Sequence, residues 1–369
     1  MHIIDRYIGS SVAMTTVIGV TVLSFVLVLA NIFKQMLPLL VNSNIPADYF
    51  IGFLIYVLPF SLIFTVPWGF LTAVLLVFGR LSADNEFVAM RMAGVSTPRM
   101  VVSVLVFAVG LSALCLWMNL EVAPKASARL KRMTVEMAIN NPDALFNDDQ
   151  VIDKFPGYII YVRDKKDKEL NDLHMVQLGH LNRASKYIVA RKALLIPRPE
   201  SQAMEMEIQH AQVTTRDTVN HRDIDKINTG LSADSMTLGV PLDALYKKRS
   251  AQSDSMLTSA ELTEELKRDD LNEKQRSGML TELNKRYSYS LACVAFALLG
   301  IPLGITAQRR ETSIGFALSL IVAFVYFFFI IVAEMLSDKP AAMPHLLMWS
   351  PNVLFLTLGA VLFYRLSRK

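Results

Sequence analysis

The chain is poor in charged residues and has almost no cysteine. Only 19% of its 369 residues are charged and 53% are hydrophobic, whereas soluble domains carry about 25% charged residues. The two cysteines, Cys115 and Cys293, both lie in long apolar runs. A disulfide framework in the polar middle of the chain is therefore excluded, and the composition indicates a membrane protein.

Sequence motifs that support catalysis are missing as well. The chain contains no G-x-x-x-x-G-K-[ST] phosphate-binding loop and no G-x-S-x-G nucleophile turn, and none of its six histidines has the spacing of an H-E-x-x-H zinc site. We therefore expect this chain to have no enzymatic activity, no metal ion and no cofactor. Nothing in its charge pattern indicates a nucleic-acid partner.

Six apolar runs without Asp, Glu, Lys or Arg are long enough to cross a bilayer, since about 20 helical residues span its hydrocarbon core. They comprise residues 7–33, 49–79, 100–120, 287–308, 312–333 and 340–364. The second run is too long for one straight span and contains Pro59 and Pro67, which predicts a kinked or tilted helix. The sequence thus predicts a membrane α-helical bundle with six transmembrane helices.

The basic residues of the short loops predict the orientation, because Lys and Arg accumulate on the cytoplasmic side. With the N-terminus inside, nine basic residues lie on the inner side and two on the outer side. The inner residues are Arg6, Arg80, Arg91, Arg99, Arg309, Arg310, Arg365, Arg368 and Lys369, and the outer ones are Lys34 and Lys339. We expect both termini in the cytoplasm and the long segment after the third run outside it.

This long segment divides the chain into three parts: helices 1–3 in residues 1–122, an extracytoplasmic domain in 123–285, and helices 4–6 in 286–369. Short β-rich runs between polar turns occupy about 150–245, which is typical of an antiparallel sandwich or jelly roll. A capping-box pattern at Thr258 and Glu261 predicts a helix over about 258–285. A structural spacer and a lipid- or partner-binding module both fit this domain.

The loop between the second and third runs predicts a short amphipathic helix over about 82–94. Ser82 or Asp84 can cap its start, and Gly94 can end it. The loop is either an interfacial anchor or a coupling helix that docks into a groove of a partner protein.

The two faces of this predicted helix differ in polarity. Phe87 and Met90 fall on an apolar face, whereas Glu86 and Arg91 are polar. In the coupling hypothesis, Glu86 supplies a charge-assisted contact to the partner.

Two cations near the outer ends of the spans are candidates for lipid contact. Lys34 ends the first apolar run, where it either meets an anionic headgroup or extends its ammonium to the interface. Arg286 directly precedes the fourth run and is the second candidate.

Several segments resemble the lipopolysaccharide-export permease family, which comprises the F and G subunits of the Lpt transporter. They are the loop 79–96, the segment 282–287 followed by 297–305 and the pair Arg309-Arg310, the weaker match 187–193, and the opening 5–9. Each segment alone is loosely defined. Their order, spacing and topology over essentially the whole chain carry the resemblance.

The resemblance implies a permease subunit of an ABC transporter that extracts lipopolysaccharide from the bacterial inner membrane and exports it toward the outer membrane. It further implies a periplasmic β-jelly roll, a paralogous second permease subunit in an F/G heterodimer, a cytoplasmic ATPase dimer and periplasmic bridge proteins. By motif match, Glu86 is the coupling-helix carboxylate and Arg91 is its neighbour. Phe87, Met90 and Gly94 complete the implied ATPase-coupling set.

An alternative function is a non-transporting membrane scaffold or sensor with a partner-binding periplasmic domain. A secondary transporter is disfavoured, because such proteins place ionisable residues near the membrane midplane and the six runs contain no Asp, Glu, Lys or Arg.

Overall fold

The computed structural model describes residues 3–35, 47–140, 146, 149–152, 157–166, 169–179, 184–198, 203–216, 227–241, 254–307 and 312–368. The helices before the sheet are α1 (Ile3–Gln35), α2 (Ala47–Ala83), α3 (Glu86–Met92), α4 (Thr97–Trp117) and α5 (Ala123–Asn140), with a π-helical turn Met118–Val122 joining α4 to α5. The helices after it are α6 (Ser259–Glu265), α7 (Glu273–Ser290), α8 (Ala292–Ala307), α9 (Thr312–Met335), α10 (Pro344–Leu347) and α11 (Ser350–Arg368).

Six helical stretches of the described chain can cross a membrane. Five do so as continuous helices: Ile3–Lys34, Phe50–Ala83, Thr97–Met133, Gly315–Met335 and Pro344–Leu366. The sixth is a broken pair, in which Glu273–Ser290 and Ala292–Thr306 meet at an angle of 42°. These stretches confirm the predicted bundle, and α2 runs as one helix through both Pro59 and Pro67.

The break in the fourth span is stabilised by polar side chains from two other helices. The carbonyl oxygen of Ser288 accepts hydrogen bonds from the amide of Asn352 at 2.8 Å and from the hydroxyl of Tyr326 at 3.4 Å. The Ser288 hydroxyl in turn donates to the carbonyl of Met348 at 2.5 Å. The carbonyl of Ser288 also accepts from the backbone amide of Leu291 at 3.1 Å, and backbone groups at a helix break in a membrane need partners of this kind.

The chain divides into two compact units. The helical unit comprises Met1–Asn31, Leu54–Arg129 and Ser250–Lys369, and the other unit comprises Ile32–Phe53 and Leu130–Arg249. The second unit contains the sheet, whose strands are β1 (Gln150–Ile152), β2 (Tyr158–Lys166), β3 (Glu169–Leu178), β4 (Ala184–Arg198), β5 (Ala203–Arg216) and β6 (Ile227–Pro241).

The six strands form one antiparallel sheet in sequential order. Side chains alternate between its faces, so Ile160, Leu173 and Ile188 are buried in one core whereas Tyr161 and His174 lie on the other face. The expected antiparallel β-domain inserted between the helices is thus present.

The segment after the sheet differs from the single helix expected over about 258–285. It forms two helices, α6 and α7, because the chain turns between Leu266 and Asn272. At the start of α6, the amide of Thr258 donates to Glu261 at 2.7 Å and the Thr258 hydroxyl accepts from the Glu261 amide at 3.4 Å. The hydrogen bond from Thr258 lowers the pKa of Glu261 below its ordinary value.

Close packing of α8 against α11 depends on Gly359. A Cβ atom on Gly359 would lie only 2.7 Å from the backbone carbon of Leu298, and membrane helices use such small residues to approach closely. We predict that Gly359→Ala forces the helices apart and costs about 1–3 kcal/mol of stability. Thermal unfolding of the purified protein in detergent measures this loss.

Gly110→Ala is the matched control, since a Cβ atom at Gly110 on α4 meets no atom within 4 Å. This variant should keep the wild-type melting temperature. Equal melting temperatures for the two variants would contradict the predicted role of Gly359.

Candidate coupling site

The short helix α3 lies between two spans. It covers Glu86–Met92 and is therefore shorter than the helix predicted over 82–94. The α2 helix continues through Ala83, so Ser82 belongs to α2, where its hydroxyl donates to the carbonyl of Ile305 at 2.7 Å. Neither Ser82 nor Asp84 caps α3. Asn85 precedes it in the left-handed conformation with φ 59°, and Gly94 follows it with φ 87°. A side chain at Gly94 would be strained there.

The apolar face of α3 is turned into the protein. Phe87 is 3% exposed and belongs to a buried cluster that also contains Phe78 and Leu81 of α2, and Met90 packs against this cluster. Phe87 and Met90 thus anchor α3 to the bundle and offer little surface to another protein.

The polar residues predicted for this site are partly accessible. Glu86 is half-buried and accepts a hydrogen bond from the Tyr7 hydroxyl at 3.0 Å. Arg91 is half-buried, and Gly94 is exposed. Tyr7 lies near the start of α1, so this hydrogen bond connects α3 directly to the first span.

The exposed surface of α3 is formed by residues that the sequence interpretation missed. Val88 is 49% exposed and Met92 is 84% exposed. Their i, i+4 spacing places them on one face of the helix, away from Phe87. A helical projection of 86–92 that allowed for two apolar faces would have identified them.

A second contact ties the first span to the third beside α3. Arg99 donates to Asp5 at 2.8 Å, and the side chains are 45% and 11% exposed respectively. Two polar contacts, Tyr7 to Glu86 and Arg99 to Asp5, therefore fix the start of α1 against this region.

The two predicted lipid contacts differ in their surroundings. Lys34 is exposed in the last turn of α1. Arg286 is 3% exposed, and its guanidinium donates to Glu282, to the Ser259 hydroxyl and to the carbonyls of residues 254 and 255. Among the described residues, no group of three or more His, Cys, Asp and Glu side chains could hold a metal ion.

Truncation of the buried Phe87 and of the exposed Met92 should affect the stability of the protein differently. We predict that Phe87→Ala lowers stability by about 3–5 kcal/mol, because it leaves a cavity in the bundle. Met92→Ala, which truncates an 84% exposed side chain, should leave the melting temperature unchanged. A Phe87→Ala variant that is as stable as Met92→Ala would rule out this anchor.

The ion pair between Asp5 and Arg99 should stabilise the protein whenever the two positions carry opposite charges. We predict that Arg99→Asp leaves two like charges side by side and costs about 1–3 kcal/mol, and that adding Asp5→Arg recovers much of this loss. Melting temperatures of the single and double variants measure the coupling between the two positions. Purely additive effects would show that the pair contributes nothing.

Comparison with known proteins gives one family. The profile of the family described as "Lipopolysaccharide export system permease LptF/LptG" matches residues 6–365 of the chain. A search of curated proteins finds no match. The family match extends over both compact units and includes the loop with α3. The chain therefore belongs to the LptF/LptG family of lipopolysaccharide export permeases.

Proposed function

We propose that this chain is a permease subunit that extracts lipopolysaccharide from the inner membrane and exports it toward the outer membrane, driven by a separate ATPase. The family match over 6–365 supports membership of such an export system. The observation that carries the coupling step is the geometry of α3, which is anchored by buried Phe87 and exposes Val88 and Met92.

The ATPase partner binds the exposed side of α3 in this proposal. Val88 and Met92 supply apolar contact, and Glu86, which lies on another side of the helix because positions i and i+2 do not face each other, supplies a carboxylate at the start of α3. Aromatic side chains and Met are enriched at protein interfaces, so an 84% exposed Met92 suits a docking surface. Closure of an ATPase dimer would push α3 against the bundle through Phe87.

The orientation follows from the basic residues of the short loops, with α3 and both termini in the cytoplasm and the sheet in the periplasm. A paralogous second permease subunit completes an F/G heterodimer, and periplasmic bridge proteins receive the lipid from the sheet domain. Lys34, exposed at the periplasmic end of α1, contacts the anionic headgroup of lipopolysaccharide.

Reversal of the Glu86 charge tests the coupling proposal. We expect Glu86→Lys to weaken ATPase association about tenfold or more, since a hydrogen bond to a charged group contributes about 1.5–3 kcal/mol. Lipopolysaccharide transport should fall in parallel while the amount of protein in the membrane stays constant. Co-purification of the ATPase with the tagged chain and lipid release from proteoliposomes measure the two effects.

Asp84→Lys is the matched control, because Asp84 is exposed, precedes α3 and receives the same change of charge. It should retain most of the association and transport. Normal transport by Glu86→Lys would refute the role of Glu86. Recovery of the chain without any P-loop ATPase would instead favour a non-transporting scaffold or sensor.

A further inference from the structure

The hydroxyl of Tyr7 makes a contact at the coupling site to which the proposed function assigns no role. It donates to Oε2 of Glu86 at 3.0 Å, and Tyr7 belongs to the first span whereas Glu86 begins α3. Within the described part of the chain, this is the one hydrogen bond that the Glu86 side chain makes, and no cation there pairs with its carboxylate. The position of the coupling carboxylate therefore depends on a residue of another helix.

The backbone that carries Tyr7 is fixed on two sides. Ile8, the next residue, is 0% exposed and belongs to the same buried cluster as Phe87, which anchors α3. Asp5, two residues before Tyr7, pairs with Arg99 of the third span at 2.8 Å. Positions i and i+2 of a helix do not face each other, so Asp5 and Tyr7 hold the start of α1 to different neighbours. Tyr7 therefore presents its hydroxyl to α3 from a rigid support.

The carboxylate of Glu86 keeps room for a partner while it is bound to Tyr7. An ionised carboxylate has about four acceptor sites on its two oxygens, whereas a phenol donates a single proton. Tyr7 occupies one site on Oε2, and Oε1 has no hydrogen-bond partner among the described residues. Tyr7 is 43% exposed and Glu86 is half-buried, so a protein that docks on α3 can reach the carboxylate without displacing the phenol.

A carboxylate that is held in advance binds a partner more tightly than a mobile one. The Glu side chain loses much rotamer freedom when it is fixed, and ordering such a side chain at an interface lowers the affinity. The hydrogen bond from Tyr7 orders Glu86 before the partner arrives. Loss of this ordering alone should weaken association about three- to tenfold.

We propose that Tyr7 is a positioning residue of the coupling site: its hydroxyl orients the Glu86 carboxylate for the ATPase, so the first span takes part in ATPase binding. The proposal rests on the proposed function, because it needs an ATPase on α3, and it adds that the affinity of this partner depends on where the start of α1 lies. A bound ATPase then holds the start of α1 in place with the same coupling free energy, since such coupling is reciprocal.

Titration of the full-length chain in nanodiscs with the ATPase that co-purifies with it tests this role. Tyr7→Phe removes the hydroxyl and keeps the ring, and it should weaken association about three- to tenfold. Its melting temperature should stay close to that of the wild type, because Ile8 and the pair of Asp5 with Arg99 still fix α1. Tyr56→Phe, the same substitution at a half-buried residue of α2, is the matched control and should bind as the wild type does.

Two further variants separate the positioning of Glu86 from a general effect on α1. In a Glu86→Ala background, Tyr7→Phe should weaken association no further, because both changes act through one carboxylate. Arg99→Gln removes the other polar contact of α1 and leaves the Tyr7 hydroxyl in place, so it should weaken association less than Tyr7→Phe does.

The positioning role is overturned if Tyr7→Phe binds the ATPase like Tyr56→Phe, if its effect persists in the Glu86→Ala background, or if Arg99→Gln weakens association equally. Glu86→Lys tests the coupling proposal separately. Loss of association in Glu86→Lys together with normal association in Tyr7→Phe would reject the positioning role alone, whereas normal association in both variants would reject the two proposals together.

Discussion

The helical unit depends on how the hydrogen bonds of the broken fourth span are satisfied. Hydrocarbon offers a freed backbone carbonyl no partner, so a membrane helix breaks only where side chains or protein backbone replace the missing bond. Here the carbonyl of Ser288 accepts from the Leu291 amide at 3.1 Å and also from the side chains of Asn352 on α11 and Tyr326 on α9. The single hydroxyl proton of Tyr326 is shared between this carbonyl and the amide oxygen of Asn352, which lies 3.2 Å from the hydroxyl. One backbone carbonyl therefore ties the fourth, fifth and sixth spans together.

The break also determines where the charged end of α7 lies. The α7 helix is bent by 42° from α8, and Lys285 and Tyr289 near its end line a cavity of about 330 Å³ between α2, α7 and α9. Arg286, which is 3% exposed, holds the segment that enters α7 through the carbonyls of residues 254 and 255. A buried guanidinium is stable only when its donors are satisfied. Arg286 thus serves the structure of this region, which differs from the lipid contact predicted for it.

The sequence reveals those features that depend on local composition. Run length identified the spans, and short β-rich runs between polar turns indicated the antiparallel sheet, although they did not single out its two edge strands β1 and β6. The break at Leu291 could not be predicted, because residues 287–292 contain no Pro or Gly and its stabilising partner Asn352 lies about 60 residues away. Conversely, Pro59 and Pro67 lie within one continuous helix. The inward orientation of Phe87 was equally hidden, since a seven-residue helix with apolar residues on two faces does not show which face meets the bundle.

The α2 helix links the two ends of the helical unit. Near one end Phe60 and Phe64 line the cavity, and near the other Phe78 and Leu81 share a buried cluster with Phe87 of α3. Close-packed interiors have low compressibility and transmit displacement, so a force on α3 reaches α2 through Phe87. A displacement of α3 would then move the same helix that lines the cavity. If binding at one end changes the affinity at the other, the reverse effect must have the same size, because coupling free energies are reciprocal.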